Sequence, residues 1–261
     1  MNIETNSLEK EQKINRLLNS QPSGVVYLSS WLTRNGFSTQ LLNRYKKSNW
    51  LTSIGTGAWI RVGEKPTYEG ALYAIQKQSK LSIHVGGKTA LSLLGKAHYL
   101  ELSTQQIILF GSSKEKLPAW FSKYDWGLKV NYFSSSFLPP NDGLMTLDRN
   151  TFSLQVSNPI RALLECLYLV PKKQDFIECY EIMEGLNNLR PNQVQGLLEQ
   201  CTSVKVKRLF LYMAEKSKHD WFNYINLETI DIGKGKRSLV KDGVYISKYG
   251  ITIPKALANY E

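Results

Sequence analysis

Within the first 62 residues the spacing of apolar side chains changes once, and that change limits the folds open to the chain. Ile14, Leu17 and Leu18 recur at i, i+3, i+4, which predicts an amphipathic helix over residues 7–19. Pro22 and Gly24 end it. Leu28, Trp31 and Leu32 repeat the spacing in a short second helix, closed by Asn35-Gly36, where glycine accepts the left-handed conformation of a helix terminus. Ser38 then caps a third helix that turns Phe37, Leu41, Leu42 and Tyr45 inward. From Trp50 the period falls to two. Trp50–Ile54 and Ala58–Val62 flank Gly55-Thr56-Gly57, the pattern of a β-hairpin with a glycine turn. Three helices followed by a hairpin is the order of a winged helix-turn-helix, with its turn at Asn35-Gly36.

A break at Gly63-Glu64-Lys65-Pro66 separates this unit, residues 1–65, from a longer stretch of helices and strands, residues 66–261. The fold class expected is α+β: an N-terminal winged helix-turn-helix followed by a larger mixed α/β domain. In the second part Tyr68, Ala71, Leu72 and Ile75 mark a helix. Leu81–Val85, Gln106–Phe110 and Leu128–Phe133 read as strands, with a short helix ended by Gly95 between the first two. Pro159 and Pro191 suit first helical turns. Helices are also expected around Phe176–Met183 and Val206–Met213, and short strands at Val244–Ser247 and Ile251–Ile253. Cys166, Cys179 and Cys201 fall on apolar helix faces without a C-x-x-C pair, so they read as core residues rather than a disulfide or zinc framework.

Charge indicates the partner. The net charge is +11, which favours a polyanion, either nucleic acid or an anionic membrane. No apolar run approaches the roughly 18–20 residues that span a bilayer, and no basic amphipathic helix with exposed aromatics stands out. The polar start, MNIETNSLEKEQK, lacks the apolar stretch of a signal peptide. A cytoplasmic, membrane-free location is expected.

The third helix presents Thr39, Gln40, Asn43, Arg44, Lys46 and Lys47 on its open side, without an acidic residue. Gln and Asn can pair with adenine, and Arg with guanine, in the major groove; Lys46 and Lys47 suit phosphate. Thr39, Gln40, Asn43 and Arg44 are therefore the expected base readers of double-stranded DNA. Ser38 at the cap, Thr56 at the hairpin tip and Arg61 on its second strand complete the expected contact set. A second set of possible anion contacts lies late in the chain. Lys205, Arg208 and Lys216 share one side of the last long helix, opposite its apolar stripe. Lys234, Lys236 and Arg237 lie in the glycine-punctuated loop Gly233–Arg237.

Enzymatic chemistry has no comparable signature. Residues 83–91, IHVGGKTAL, look like the end of a P-loop, but Ser82 occupies the place of its first glycine and no Walker-B strand follows. The segment reads instead as a tight strand-to-helix turn with Thr89 as cap. His84, His98 and His219 pair with no cysteine or carboxylate at metal-ligand spacing. No catalytic residue, metal or cofactor is expected.

Several motifs in order resemble the AbiEi antitoxin family of type IV toxin–antitoxin systems. They are Tyr68-Glu69-Gly70-Ala71-Leu72, the 83–91 segment, Gly95-Lys96-Ala97-His98-Tyr99-Leu100, Asn158-Pro159-Ile160-Arg161-Ala162, Met183-Glu184-Gly185-Leu186, Leu189-Arg190-Pro191, residues 203–210 and residues 231–238. The resemblance implies a winged helix that represses the family's own operon. It also implies a C-terminal domain that counters a nucleotidyltransferase toxin without a stable complex. Two other classes stay open at this point. A nucleotide- or RNA-acting enzyme with a DNA-binding accessory domain would need converged acidic or His residues in a pocket. A pure protein-interaction module would leave the basic third helix unused.

Overall fold

The computed structural model describes residues 13–96 and 106–260; His98 and its neighbours, and the helix expected before residue 13, lie outside them. The chain packs as two compact units. The first holds the described residues up to Ile83, with the returning segments Leu117–Gly127 and Thr146–Leu154. It therefore extends past the break read near Pro66.

In the first unit, residues 13–19 form α1. There follow β1 (Tyr27–Leu28), α2 (Ser29–Arg34), α3 (Thr39–Lys47), β2 (Leu51–Gly55) and β3 (Ala58–Arg61). The three strands form an antiparallel sheet in the order β1-β3-β2. This is the winged helix-turn-helix order, and its helices and hairpin fall where the apolar spacing places them. Ile14, Leu17, Leu32, Phe37, Leu42, Tyr45 and Leu51 share one core with Tyr27. The turn between α2 and α3 uses Gly36 at φ +86°, and the Phe37 N–H returns to Leu32 O at 3.0 Å. Ser38 accepts from the Leu41 N–H, as a cap should.

One strand escaped the periodicity: Leu28, read as the first residue of the second helix, ends β1 instead. Two residues are too few to carry a period, and only the partners Trp59 and Ala58 make them a strand. Helix α4 (Tyr68–Lys77) packs into the same unit through Ala71, Leu72, Ala74 and Ile75. A short α6 (Ala119–Lys123) lies against β2.

The second unit holds most of a five-stranded sheet in the order β6-β5-β4-β8-β7, residues 146–154 of which are counted with the first. Its strands are β4 (His84–Val85), β5 (Gln106–Ser112), β6 (Lys129–Ser135), β7 (Leu144–Asp148) and β8 (Ser153–Ser157). The strand expected from Leu81 begins only at His84, and the β7–β8 pair had no legible signal. Helix α5 (Gly87–Leu93) and helix α7 (Pro159–Leu169) pack on each other. The layer continues with α8 (Phe176–Gly185), α9 (Pro191–Gln200) and α10 (Val204–Lys216). Cys166, Cys179 and Cys201 are buried and free, as expected of core residues. A small sheet, ordered β10-β11-β9, joins β9 (Arg237–Ser238), β10 (Val244–Ile246) and β11 (Ile251–Ile253). No described helix is long and apolar enough to cross a membrane.

Candidate nucleic-acid interface

Helix α3 buries Leu42 and Tyr45 and leaves the opposite side to solvent. Ser38, Thr39, Gln40, Asn43, Arg44, Lys46 and Lys47 are all exposed. The six residues of that set on the helix itself carry three cations, and no carboxylate lies on the helix to offset them. The side chains that could read base edges begin at the first turn, next to the helix-turn-helix bend. The lysines sit in the last turn, beside Arg44.

Arg34 and Gln78 hold the motif from behind. Gln78 is buried, and its side chain behaves like a missing neighbour strand for the segment leading into α2. Its Oε1 accepts from the Leu28 N–H at 2.8 Å and its Nε2 donates to Val26 O at 2.7 Å. Its own carbonyl accepts from Arg34 Nη2 at 2.7 Å. These contacts span 44–52 residues, so no local sequence pattern could have announced them.

The hairpin supplies less than its sequence promised. Thr56 is exposed at the tip. The tip backbone, however, is partly engaged: Ser29 N–H donates to Gly57 O at 2.8 Å, and Gly55 lies against Trp120. Arg61 is spent inside the unit. Its guanidinium donates to Tyr27 Oη at 2.8 Å, to Gln21 O at 2.7 Å, to Leu18 O and to Glu64 at 3.2 Å. A guanidinium with its fork filled this way braces β3 against the end of α1 and has little left for a phosphate. Trp50, counted above as a hairpin residue, is 47% exposed just beyond α3. Its exposure was not legible because the period placed it in a strand.

The late cations separate into two groups in the second unit. Lys205 and Arg208 are not a solvated face. Arg208 is buried and donates to the carbonyls of Ile232, Gly233, Gly235 and Gly250 at 2.8–3.1 Å. Lys205 donates to Tyr168 O and Val170 O, and burial pulls its ammonium down to about 8. Helix α10 is buried on nearly every side, so the apolar stripe read from its sequence understates its environment. Lys216 lies over the Tyr180 ring. Lys234, Lys236 and Arg237 do stay exposed, but the loop that carries them is tied by Arg208 and Arg237 joins β9. The glycine-punctuated loop is therefore held through its carbonyls.

The P-loop-like turn is also of another kind. Gly86 is the N-cap of α5, while Thr89 Oγ1 accepts from the Ile108 N–H at 3.0 Å, bracing the helix on β5 in place of capping it. The two N–H groups of this turn are directed inward: Gly86 to Ile108 O and Gly87 to Glu165 Oε2 at 2.8 Å. Glu165 is fully buried and also accepts from Ser157 Oγ at 2.8 Å and Arg161 Nε at 2.9 Å. His84 Nε2 lies 3.0 Å from its other face. Burial alone would raise this carboxyl, but His84, Arg161 and the Gly87 N–H hold it below the ordinary carboxylate range. The His84–Glu165 pair is 81 residues apart in sequence, beyond any motif spacing. Among the described residues no group of three or more His, Cys, Asp or Glu could hold a metal ion.

Comparison with known proteins agrees along the whole length. The family model described as "Transcriptional regulator, AbiEi antitoxin N-terminal domain" matches residues 10–102. The one described as "Transcriptional regulator, AbiEi antitoxin, Type IV TA system" matches residues 104–254. No curated protein matches. Among solved structures, the RV2827C protein from Mycobacterium tuberculosis is 12% identical with a TM-score of 0.56, over 87% of this chain and 85% of that one. At that identity the likeness is one of fold.

Proposed function

This chain belongs to the AbiEi antitoxin family of type IV toxin–antitoxin transcriptional regulators, and from that premise we propose that it binds its own operator as a repressor through α3 and counters a nucleotidyltransferase toxin. The observation that carries the DNA-binding reading is the exposed face of Thr39, Gln40, Asn43 and Arg44, continued by Lys46 and Lys47 and free of acidic side chains. That face follows a helix-turn-helix bend, so its N-terminal side chains are those that enter a major groove. Ser38 caps the helix and Thr56 is exposed at the hairpin tip, and Lys234, Lys236 and Arg237 are a second candidate set for phosphate. Arg61, Lys205 and Arg208 contribute through the fold, since their donors already have carbonyl or hydroxyl partners.

The toxin is countered, in this reading, by the part of the chain after residue 65, without catalysis and without a stable complex. The test is binding of the full chain to its upstream DNA and to a scrambled duplex over a salt series. Co-expression with the toxin, followed by co-purification, tests the second half. Sequence-preferring, salt-sensitive binding and rescue without co-purification support the proposal. Equal affinity for both duplexes removes the repressor reading, and turnover of a nucleotide or RNA substrate by the purified chain restores the enzyme alternative.

A further inference from the structure

The second unit has a cationic cleft that the DNA-binding face does not use. It has a volume of about 140 Å³ and is lined by Lys88, Lys129, Lys173, Gln106, Asn131 and Phe133, with Ile108 and Leu169 behind. Strands β5 and β6 are parallel, with Gln106 opposite Lys129 and Ile108 opposite Asn131. Lining residues recur at every second position on both strands, so one face of the sheet edge forms the floor. Lys88 enters from the first turn of α5, and Lys173 from the chain just after α7.

Three ammonium groups in one small cleft repel each other unless something negative is shared among them. Lys88 meets Glu178 at 3.1 Å, and Glu178 is in turn held by Gln174. Among the described residues, Lys129 and Lys173 meet no carboxylate within ion-pair distance. Asn131 Nδ2 donates to Gln106 Oε1 at 3.1 Å, which orients both amides and leaves the Gln106 amide protons and the second Asn131 Nδ2–H as donors to an anion. Among the described residues, one carboxylate against three lysines leaves an excess of two positive charges, with neutral donors beside them and a ring at the wall.

We propose that this cleft binds a small phosphorylated ligand, a di- or triphosphate group whose charge is shared by Lys88, Lys129 and Lys173. The cleft suits a compact anion rather than the tracked backbone of a polymer. A polymer needs a groove that extends over several nucleotides, and 140 Å³ holds only a few phosphate-sized groups. The site is independent of the operator-reading proposal, because none of its residues lies on α3 or the hairpin.

The experiment is calorimetric titration of the full chain with inorganic pyrophosphate at low salt, with circular dichroism to show that each variant is folded. Millimolar or tighter binding is expected, weakened at least about tenfold by Lys129→Gln and by Lys173→Gln. Lys255→Gln, at an exposed position elsewhere in the second unit, should leave it unchanged. Glu178→Gln releases Lys88 from its competing carboxylate and should tighten binding several-fold, a gain that damage to the fold would not produce. Operator binding by the Lys129 variant separates failure of this site from failure of the repressor reading. Absent pyrophosphate binding overturns the assignment, as does binding indifferent to both lysine variants, which would leave Lys129 as a guard on an open sheet edge. A ten-nucleotide single strand that competes as well as pyrophosphate, phosphate for phosphate, overturns the small-ligand assignment.

Discussion

Side chains facing solvent and side chains facing the core make opposite predictions when shortened. Arg44 and Gln40 are exposed on α3, so Arg44→Ala and Gln40→Ala should leave stability within about 0.5 kcal/mol of the parent. Each should cost about 1–3 kcal/mol of discrimination between operator and scrambled DNA, read by gel shift on both duplexes. Equal losses on the two duplexes would reduce them to phosphate contacts. Glu165 is the reverse case. Glu165→Gln removes the carboxylate that compensates buried Arg161 and should cost about 3–5 kcal/mol in chemical denaturation. Its carboxyl is held below the usual 4.5, so it binds fewer protons folded than unfolded. The stability it contributes is present above pH 4.5 and is lost as pH falls through the lower folded value. Acid titration of the parent should show that loss below pH 4.5, and the Gln variant should be flatter there. The residues of α3 were legible in sequence because exposure follows from helical period. Glu165 was not, because three of its four partners, His84, Gly87 and Ser157, come from β4, the first turn of α5 and β8, and only Arg161 lies on its own helix.

A helix is judged differently by its propensity and by its packing. Gly70 sits inside α4, where Gly→Ala ordinarily stabilises by about 1 kcal/mol. Here a Cβ would stand 2.0 Å from Gly24 O and 3.2 Å from Val25 Cα. The backbone cannot give that distance locally, so overpacking of about 1–3 kcal/mol or more outweighs the propensity gain. Gly70→Ala should therefore lower the thermal midpoint, and a raised midpoint would show that the close approach relaxes freely. The same contact brings the Val26 N–H to Gly70 O at 3.3 Å and sets β1 beside its companions. Helices α3, α4, α7 and α10 were visible in the apolar spacing. β1 and β9 are two residues long and exist only because partner strands lie beside them.

At the scale of the whole molecule the proposal assigns operator reading to residues before 65 and toxin countering to those after. Gln78 and α4 complete the first unit, so substitutions in the full chain separate the two roles more cleanly than truncation. Arg44→Ala should lose repression of a reporter while still protecting cells from the toxin at matched expression. Loss of protection in that variant would join the two roles. The exposed loop has its own signature. Removing Lys234, Lys236 and Arg237 together should reduce the slope of log affinity against log salt by up to about 2.7, at roughly 0.9 for each phosphate contact. An unchanged slope would return that loop to a solvated role.

The sequence alone determined the winged helix order, the open basic side of α3, the buried cysteines and the family likeness. The first three depend on spacing within about a dozen residues, where one period or one cap decides the local conformation, and the likeness on the order of several such short motifs. Tertiary structure decided which cations are free. Arg61, Lys205 and Arg208 look in sequence like Lys46 and Lys47, yet their donors are filled by carbonyls and hydroxyls 24 to 43 residues away in the chain. A side chain's charge is local information, but the groups that satisfy it are chosen by which distant backbone the fold brings within 3 Å.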